Sequence, residues 1–214
     1  VSGTVAASFS GRDLELELID PDSERLVRLF RHPGGDWEPP AEAHRNLRVD
    51  PPAGHKAAFA VLYTGNTLPT VAIECGILRA DPADRYTWAT DRADQYRVVR
   101  YAFSAPGLFI PIDGRNRSVL GLAGGQRKFA GYAPYQTVSH ELFQRFGKLV
   151  HGLSWESFHR NQPGRVYALW HHHKATIGLT IVSSPPYPKL VDDPEWRAFL
   201  DANPQVEPIK PASD

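Results

Sequence analysis

The stretch Ala57-Ala58-Phe59-Ala60-Val61-Leu62-Tyr63-Thr64-Gly65-Asn66-Thr67-Leu68-Pro69-Thr70-Val71-Ala72-Ile73-Glu74-Cys75-Gly76-Ile77-Leu78-Arg79 joins an apolar run to a helical stripe through a short polar turn. The run from Ala57 to Tyr63 reads as a strand, because a short apolar run bounded by turn residues suits a buried sheet position. Beyond it, Asn66 or Thr67 is placed to cap a helix from Leu68 to about Arg79, with Pro69 in its first turn. Leu68, Val71, Ala72, Cys75 and Leu78 then form one apolar face, which should pack on the sheet. Glu74 falls at the edge of that face, beside Leu78. A carboxylate at such a boundary can face a cleft, or it can be an ordinary solvated glutamate on the helix flank. Tyr63 arrives at the strand end just before the helix, so the two side chains can share one pocket.

Outward from this unit, the alternation Leu14-Glu15-Leu16-Glu17-Leu18 has the period of a half-buried strand. Leu26 to Phe30, Gln95 to Phe103, Val119 to Leu122, Arg165 to Trp170 and Thr176 to Val182 read as further strands, and Val138 to Lys148 and Pro194 to Ala202 as helices. The mixture predicts an α+β domain built on a mixed sheet. Pro39-Pro40, Pro51-Pro52, Pro185-Pro186 and the tail from Pro204 to Pro211 punctuate it without marking a linker, and the chain contains no internal repeat.

A chain of 214 residues is long enough for one sizeable core, so a single domain over residues 1–214 is expected. Its formal net charge is zero and its Lys and Arg residues are scattered, which argues against nucleic acid as a direct partner. Cys75 is the only cysteine, which excludes an internal disulfide and fits a reducing compartment. No window approaches the roughly 18 apolar residues of a membrane span, and the opening segment Val1 to Phe9 lacks a basic run before an apolar one. The cytoplasm is the expected location, with no membrane association. Methionine is absent, which leaves room for a further N-terminal segment.

Leu62-Tyr63, a short turn, and an apolar helix with a glutamate eleven residues after the tyrosine together resemble the central motif of RES domains, a family named for Arg, Glu and Ser. The other elements occur in order. Leu29-Phe30-Arg31 is similar to the first motif, in which a strand near the N-terminus ends in arginine. Asn46-Leu47-Arg48-Val49-Asp50-Pro51-Pro52 resembles the second basic motif, with Asn46-Leu47 standing in its glycine region, Val49 in its aromatic position and Arg45 as a second candidate for the arginine. Val150-His151-Gly152-Leu153-Ser154-Trp155-Glu156-Ser157 resembles the C-terminal motif that ends in serine, here Ser157, and Arg165 to Trp170 the closing strand. The resemblance covers about residues 26–183 and leaves a C-terminal helix and tail over 190–214.

The resemblance implies a fold like the diphtheria-toxin group of ADP-ribosyltransferases, with NAD as substrate in a cleft between sheet halves. It implies a toxin of a toxin-antitoxin module, partnered by an antitoxin with a helix-turn-helix domain of the Xre type and oligomeric, if at all, through that antitoxin. Family members release nicotinamide to water, transfer to phosphate, or ADP-ribosylate a protein; a chain with the fold but no turnover would be an NAD-binding module. The expected roles follow from the chemistry. Glu74 would stabilise positive charge developing on the ribose, and Arg31 and Arg48 would hold the diphosphate with paired charge-assisted bonds. Tyr63 would offer a ring to the nicotinamide and a hydroxyl as a polar anchor, and Ser157 would hydrogen-bond the ribose, a phosphate or Glu74. By default each is ordinary: a strand-end tyrosine, a turn serine, surface arginines.

Three other features carry less. Strand alternation would place His171 and His173 of His171-His172-His173 on one face, but no accompanying ligand of recognised spacing supports a metal, and none is expected. Gly121-Leu122-Ala123-Gly124-Gly125 lacks the ending of a phosphate loop and reads as a flexible connection. Ser139-His140-Glu141-Leu142 suggests a helix start, with Ser139 or Thr137 as cap.

Overall fold

The computed structural model describes residues 14–80, 86–122, 131–157 and 164–209. Its strands are β1 (Glu17–Ile19), β2 (Leu26–Phe30), β3 (Val61–Gly65), β4 (Leu78–Ala80), β5 (Tyr86–Ala89), β6 (Arg97–Ala102), β7 (Gly107–Pro111), β8 (Gly152–Glu156), β9 (Arg165–Trp170), β10 (Thr180–Ile181) and β11 (Glu207–Ile209). Its helices are α1 (Leu68–Glu74), α2 (Thr90–Gln95), α3 (Gly114–Val119), α4 (Ala133–Phe146) and α5 (Pro194–Ala202). Eight strands form one sheet in the order β1-β7-β8-β9-β3-β2-β6-β10, and β11-β5-β4 form a smaller one. The large sheet is antiparallel except between β7 and β8, so the fold is mixed α+β as the sequence pattern predicts.

The sheet is buried on both faces through its middle. Along β9, Val166, Ala168 and Trp170 enter one core with Val61, Leu153 and α4 residues Tyr135, Val138 and Leu142. Tyr167 and Leu169 enter another, on the opposite face, with Leu62, Val99, Phe109 and Ile177. A third core gathers α1, α5, β4 and the outward face of β2 around Leu68, Val71, Ile77 and Trp196. Strands buried on both faces lose the strict apolar-polar alternation, which is why the middle of the sheet reads as continuous apolar runs.

The sheet parts between β2 and β3. These strands share only the pair Val27 and Gly65, whereas β3 matches β9 over five residue pairs. Arg28 bridges the parting, its guanidinium donating to the Gly35 and Tyr63 carbonyls at 2.9 and 3.0 Å.

Several elements differ from expectation for identifiable reasons. The helix at Leu68 ends at Glu74 rather than Arg79, because Gly76 adopts φ +64° and closes it: Gly76 N–H donates to Ile73 O and Ile77 N–H to Ala72 O, both at 2.8 Å. This Schellman closure buries Ile77 and releases Leu78 into β4. Val119–Leu122 is no strand but the end of α3, closed in the same way by Gly121. Thr176–Val182 contributes only β10, since Gly178 at φ +58° closes the preceding helical turn.

The strand expected from Ala57 begins at Val61. The sixth strand starts at Arg97 because the short helix α2 occupies Thr90–Gln95. The helix expected at Val138 starts at Ala133 with Pro134 in its first turn, and Ser139 is buried inside it, donating to Val49 O at 2.7 Å rather than capping.

In β1 the alternation is inverted, with Ile19 buried while Leu16 and Leu18 are 54% and 67% exposed. Glu17 turns inward to Arg165, whose guanidinium donates to it at 2.6 Å, and to the Tyr167 hydroxyl at 3.2 Å. His171–His173 form a 3-10 turn rather than a strand. Residues 1–9, the Ala123-Gly124-Gly125 end of the expected connection and the last residues of the tail lie outside the described residues.

Candidate functional site

A cleft of about 630 Å³ opens where the sheet parts, within the size range of ligand sites. Its walls come from β2, β3, α1, the loop before Asp50, and Trp155 of β8. Glu74, Arg31, Arg48 and Tyr63 all line it, and Ser157 reaches it through Glu74, its hydroxyl donating to Oε1 at 3.3 Å. The five residues singled out in the sequence are thus brought to one place from four separate segments.

Each is delivered by a local cause. Glu74 is the last residue of α1, where the Schellman closure turns the chain away and leaves its side chain exposed. Thr67 caps the other end of the helix, its Oγ1 accepting from Thr70 N–H at 3.3 Å. Arg31 follows the end of β2, exposed, with its guanidinium 5.8 Å from the centre of the Tyr96 ring. Arg48 is held among aromatic rings, 5.3 Å from Trp155 and 5.8 Å from Tyr135, with Tyr132 at 5.9 Å on the rim. Such stacking suits arginine and not lysine. Arg45, the competing arginine, faces elsewhere: it donates to the Pro40, Lys56 and Phe59 carbonyls and clamps its own loop.

Ser157 is buried at the end of the β8–β9 hairpin, where its N–H donates to Gly164 O at 2.8 Å. That hairpin lies against α1 so closely that a Cβ on Gly164 would stand 1.8 Å from Thr70 Oγ1. The close approach brings the serine to the glutamate.

Tyr63 is half-buried, its ring edge-on to Trp155 at 6.3 Å. Its hydroxyl donates to Asp50 Oδ1 at 3.1 Å and accepts from Val49 N–H at 3.2 Å. Burial, followed by the neighbouring Asp50 charge, pushes the phenol well above its usual range, so it is protonated at neutral pH. Burial likewise raises Asp50 above the ordinary carboxylate range, against the Leu47 and Tyr63 donors that lower it. Cys75 lines the cleft, but burial pushes its thiol up to about 11, which leaves it a protonated wall residue rather than a nucleophile.

Arg28, Asp50, Arg92, Tyr96 and Trp155 also line the cleft and were not singled out from the sequence. Arg28 interrupts the apolar strand Leu26-Val27-Arg28-Leu29-Phe30, so the rule that drew attention to Glu74 applies to it equally. Arg92 donates to the Cys75 carbonyl at 2.9 Å, at the C-terminus of α1 and beside Glu74. Among the described residues, four arginines against two carboxylates make the lining basic, which suits an anionic ligand with one cationic or charge-developing centre near Glu74.

The histidine run lies away from the cleft. His173 is buried and its Nε2 is 2.7 Å from Gly147 O, while its ring stands 4.0 Å from that of His172. Among the described residues, no group of three or more His, Cys, Asp or Glu is placed to hold a metal ion. Nor is any described helix long and apolar enough to cross a membrane.

A mixed α+β sheet domain with a basic cleft at the parting of its sheet is thus the class that the fold and geometry define. No protein-family model matches the chain, and no curated protein matches it. Among solved structures it is similar to a chain in the crystal structure of the M. tuberculosis MbcT–MbcA toxin–antitoxin complex, with a TM-score of 0.50 and 17% identity. That match covers 82% of this chain and 89% of the other, so the likeness spans nearly the whole fold.

Proposed function

We propose that this chain is the toxin of a toxin-antitoxin module and cleaves the nicotinamide–ribose bond of NAD. The observation that carries the reading is the convergence of Glu74, Tyr63, Arg31 and Arg48 on one basic cleft, with Ser157 on the Glu74 carboxylate. The RES-like order of these residues, the diphtheria-toxin-type ADP-ribosyltransferase fold that order implies, and the similarity of the whole fold to a chain of a toxin–antitoxin complex all support it.

In this reading Arg31 and Arg48 hold the diphosphate, and the Tyr63 ring packs against the nicotinamide. As the glycosidic bond lengthens, the ribose gains oxocarbenium character and nicotinamide leaves as a neutral base, so no proton need be supplied to it. Glu74, fixed by the Ser157 hydroxyl, stabilises the positive charge and hydrogen-bonds a ribose hydroxyl, as carboxylates do in glycoside hydrolysis. Water or phosphate then bonds to the ribose anomeric carbon from the open side of the cleft, water giving up a proton to solvent and phosphate adding as its anion. The partner is a cognate antitoxin of Xre type, and the site of action is the cytoplasm.

Incubation of the purified protein with NAD, with and without inorganic phosphate, tests this, with nicotinamide followed by chromatography and Glu74→Gln as the isosteric control. ADP-ribose or its phosphorylated counterpart, formed by the wild type and lost in the variant, supports the reading and names the acceptor. Survival of NAD in every tube rejects both free acceptors. Transfer of label from NAD into a lysate protein then marks an ADP-ribosyltransferase, and NAD affinity without turnover a binding module.

A further inference from the structure

Arg48 lies on a loop, where a side chain ordinarily wanders, yet every backbone polar group flanking it is engaged. Leu47 N–H donates to Asp50 Oδ2 at 2.8 Å, and Val49 N–H to the Tyr63 hydroxyl at 3.2 Å. The carbonyls are taken from the other side by α4: Gln136 Nε2 donates to Leu47 O at 2.9 Å and Ser139 Oγ to Val49 O at 2.7 Å. The two N–H acceptors are themselves joined, since Tyr63 Oη donates to Asp50 Oδ1 at 3.1 Å. Asp50 is 2% exposed, and a carboxylate kept out of water is retained only against a compensating set of donors.

We propose that Asp50 is a positioning residue which, with the Tyr63 hydroxyl that donates to it, fixes the backbone on both sides of Arg48 and so sets where that guanidinium stands in the cleft. Tyr63 lines the cleft while its hydroxyl belongs to the loop. This divides a residue that the sequence treats as one functional unit. The inference rests on the proposed NAD cleft only for what Arg48 holds; the fixing of the loop does not depend on it.

Tyr63→Phe removes the hydroxyl and keeps the ring, and Asp50→Asn keeps the volume and one acceptor. Both are compared with Arg48→Ala and with the two double variants, after thermal melting has shown each to be folded. The expected result is a rise of about tenfold in KM for NAD, and in Kd for ADP-ribose, in Tyr63→Phe, the size of one lost hydrogen bond, with kcat within about twofold. In the Arg48→Ala background neither change adds anything, because residues acting through one another are not additive.

A product of the separate effects in the double variants, or a fall in kcat with KM unchanged, overturns the proposal. Hydrogen exchange gives a readout independent of ligand: the Leu47 and Val49 amides exchange at least tenfold faster in one variant or the other if the loop is held as described, and no faster if it is not. A wild type that neither binds ADP-ribose nor releases nicotinamide defeats the NAD reading, and exchange at these two amides still decides the positioning.

Discussion

Ser157 and Glu74 meet across 83 residues of chain, with 3.3 Å between the serine Oγ and the carboxylate Oε1. Glu74 itself lines the cleft, and the serine, buried behind it, holds one oxygen of its carboxylate. The geometry of the contact is inherited from two tight backbone features: the glycine closure that ends α1 at Glu74, and the seat of Gly164 against Thr70.

Glu74→Gln should lower nicotinamide release about 10²–10³-fold, the usual scale for a preorganised electrostatic group. Ser157→Ala should cost about tenfold, as the loss of one orienting hydrogen bond. Because Glu74 is exposed, its substitution should leave the melting temperature unchanged, and product chromatography alongside thermal melting checks both statements.

Gly164→Ala should destabilise the fold by about 1–3 kcal/mol, because the added carbon meets Thr70 Oγ1 at 1.8 Å and the neighbours are already packed. The same change should reduce turnover by moving Ser157 away from Glu74. Thr70→Ala in the same chain removes the obstructing hydroxyl and should restore most of both losses, as read by urea unfolding and by rate.

Asp193 is fully buried and serves two ends at once. Its carboxylate takes paired bonds from Arg100 at 2.8 and 2.9 Å and caps α5 by accepting from Glu195 N–H at 3.0 Å. Asp193→Ala should cost about 1–2 kcal/mol, chiefly the loss of the helix cap, because Arg100 is partly exposed and keeps Glu195 as a partner. Asp193→Asn keeps the cap acceptor and should cost less, with denaturant midpoints separating the two.

His171 is pushed down to about 3, first by burial and then by Lys174, Arg28 and Arg45. Its folded value lies below the unfolded one of about 6.5, so between those values the unfolded chain binds a proton that the folded chain refuses. The stability this group contributes is complete above about pH 6.5 and is lost as the pH falls toward 3. His32, His140, His151 and His173 shift the same way, which steepens the loss. The melting temperature should therefore drop through this range, and His171→Phe should flatten the drop; an unchanged slope rejects the assignment.

The middle of the sheet was legible from its continuous apolar runs, and the helices expected at Leu68, Val138 and Pro194 from apolar stripes whose residues do enter the cores, although the second begins five residues earlier, at Ala133. Three misjudged spans share one cause. At Leu68–Arg79, Val119–Leu122 and Thr176–Val182, a glycine at positive φ closes a helical turn, and hydropathy carries no mark of that closure. The inverted face of β1 has a different origin. An edge strand can turn its charged face inward when ion partners await it, and Arg165, which partners Glu17, lies 148 residues away.

In the cleft, Glu74 was legible as a carboxylate at the boundary of an apolar helix, and Arg31, Arg48 and Ser157 through the RES-like order of motifs; Tyr63, expected at a strand end, lies in the middle of β3, which runs on to Gly65. Asp50 was passed over beside Arg48, since its role depends on a tyrosine hydroxyl brought from a neighbouring strand. Arg28 was hidden by looking like part of a strand, though it ties the two sides of the parted sheet together.

The order of strands also has a consequence in time. Strands β7 and β3 have β8 and β9 between them, and these two come from residues 152–170, after most of the chain. A nascent polypeptide still lacking Arg165–Trp170 has no neighbour for β3 on that side and no partner to complete the hairpin behind Ser157. A fragment that stops short of Arg165 therefore lacks the strand that joins β8 to β3, and the two cleft walls those strands supply have nothing to hold them in register.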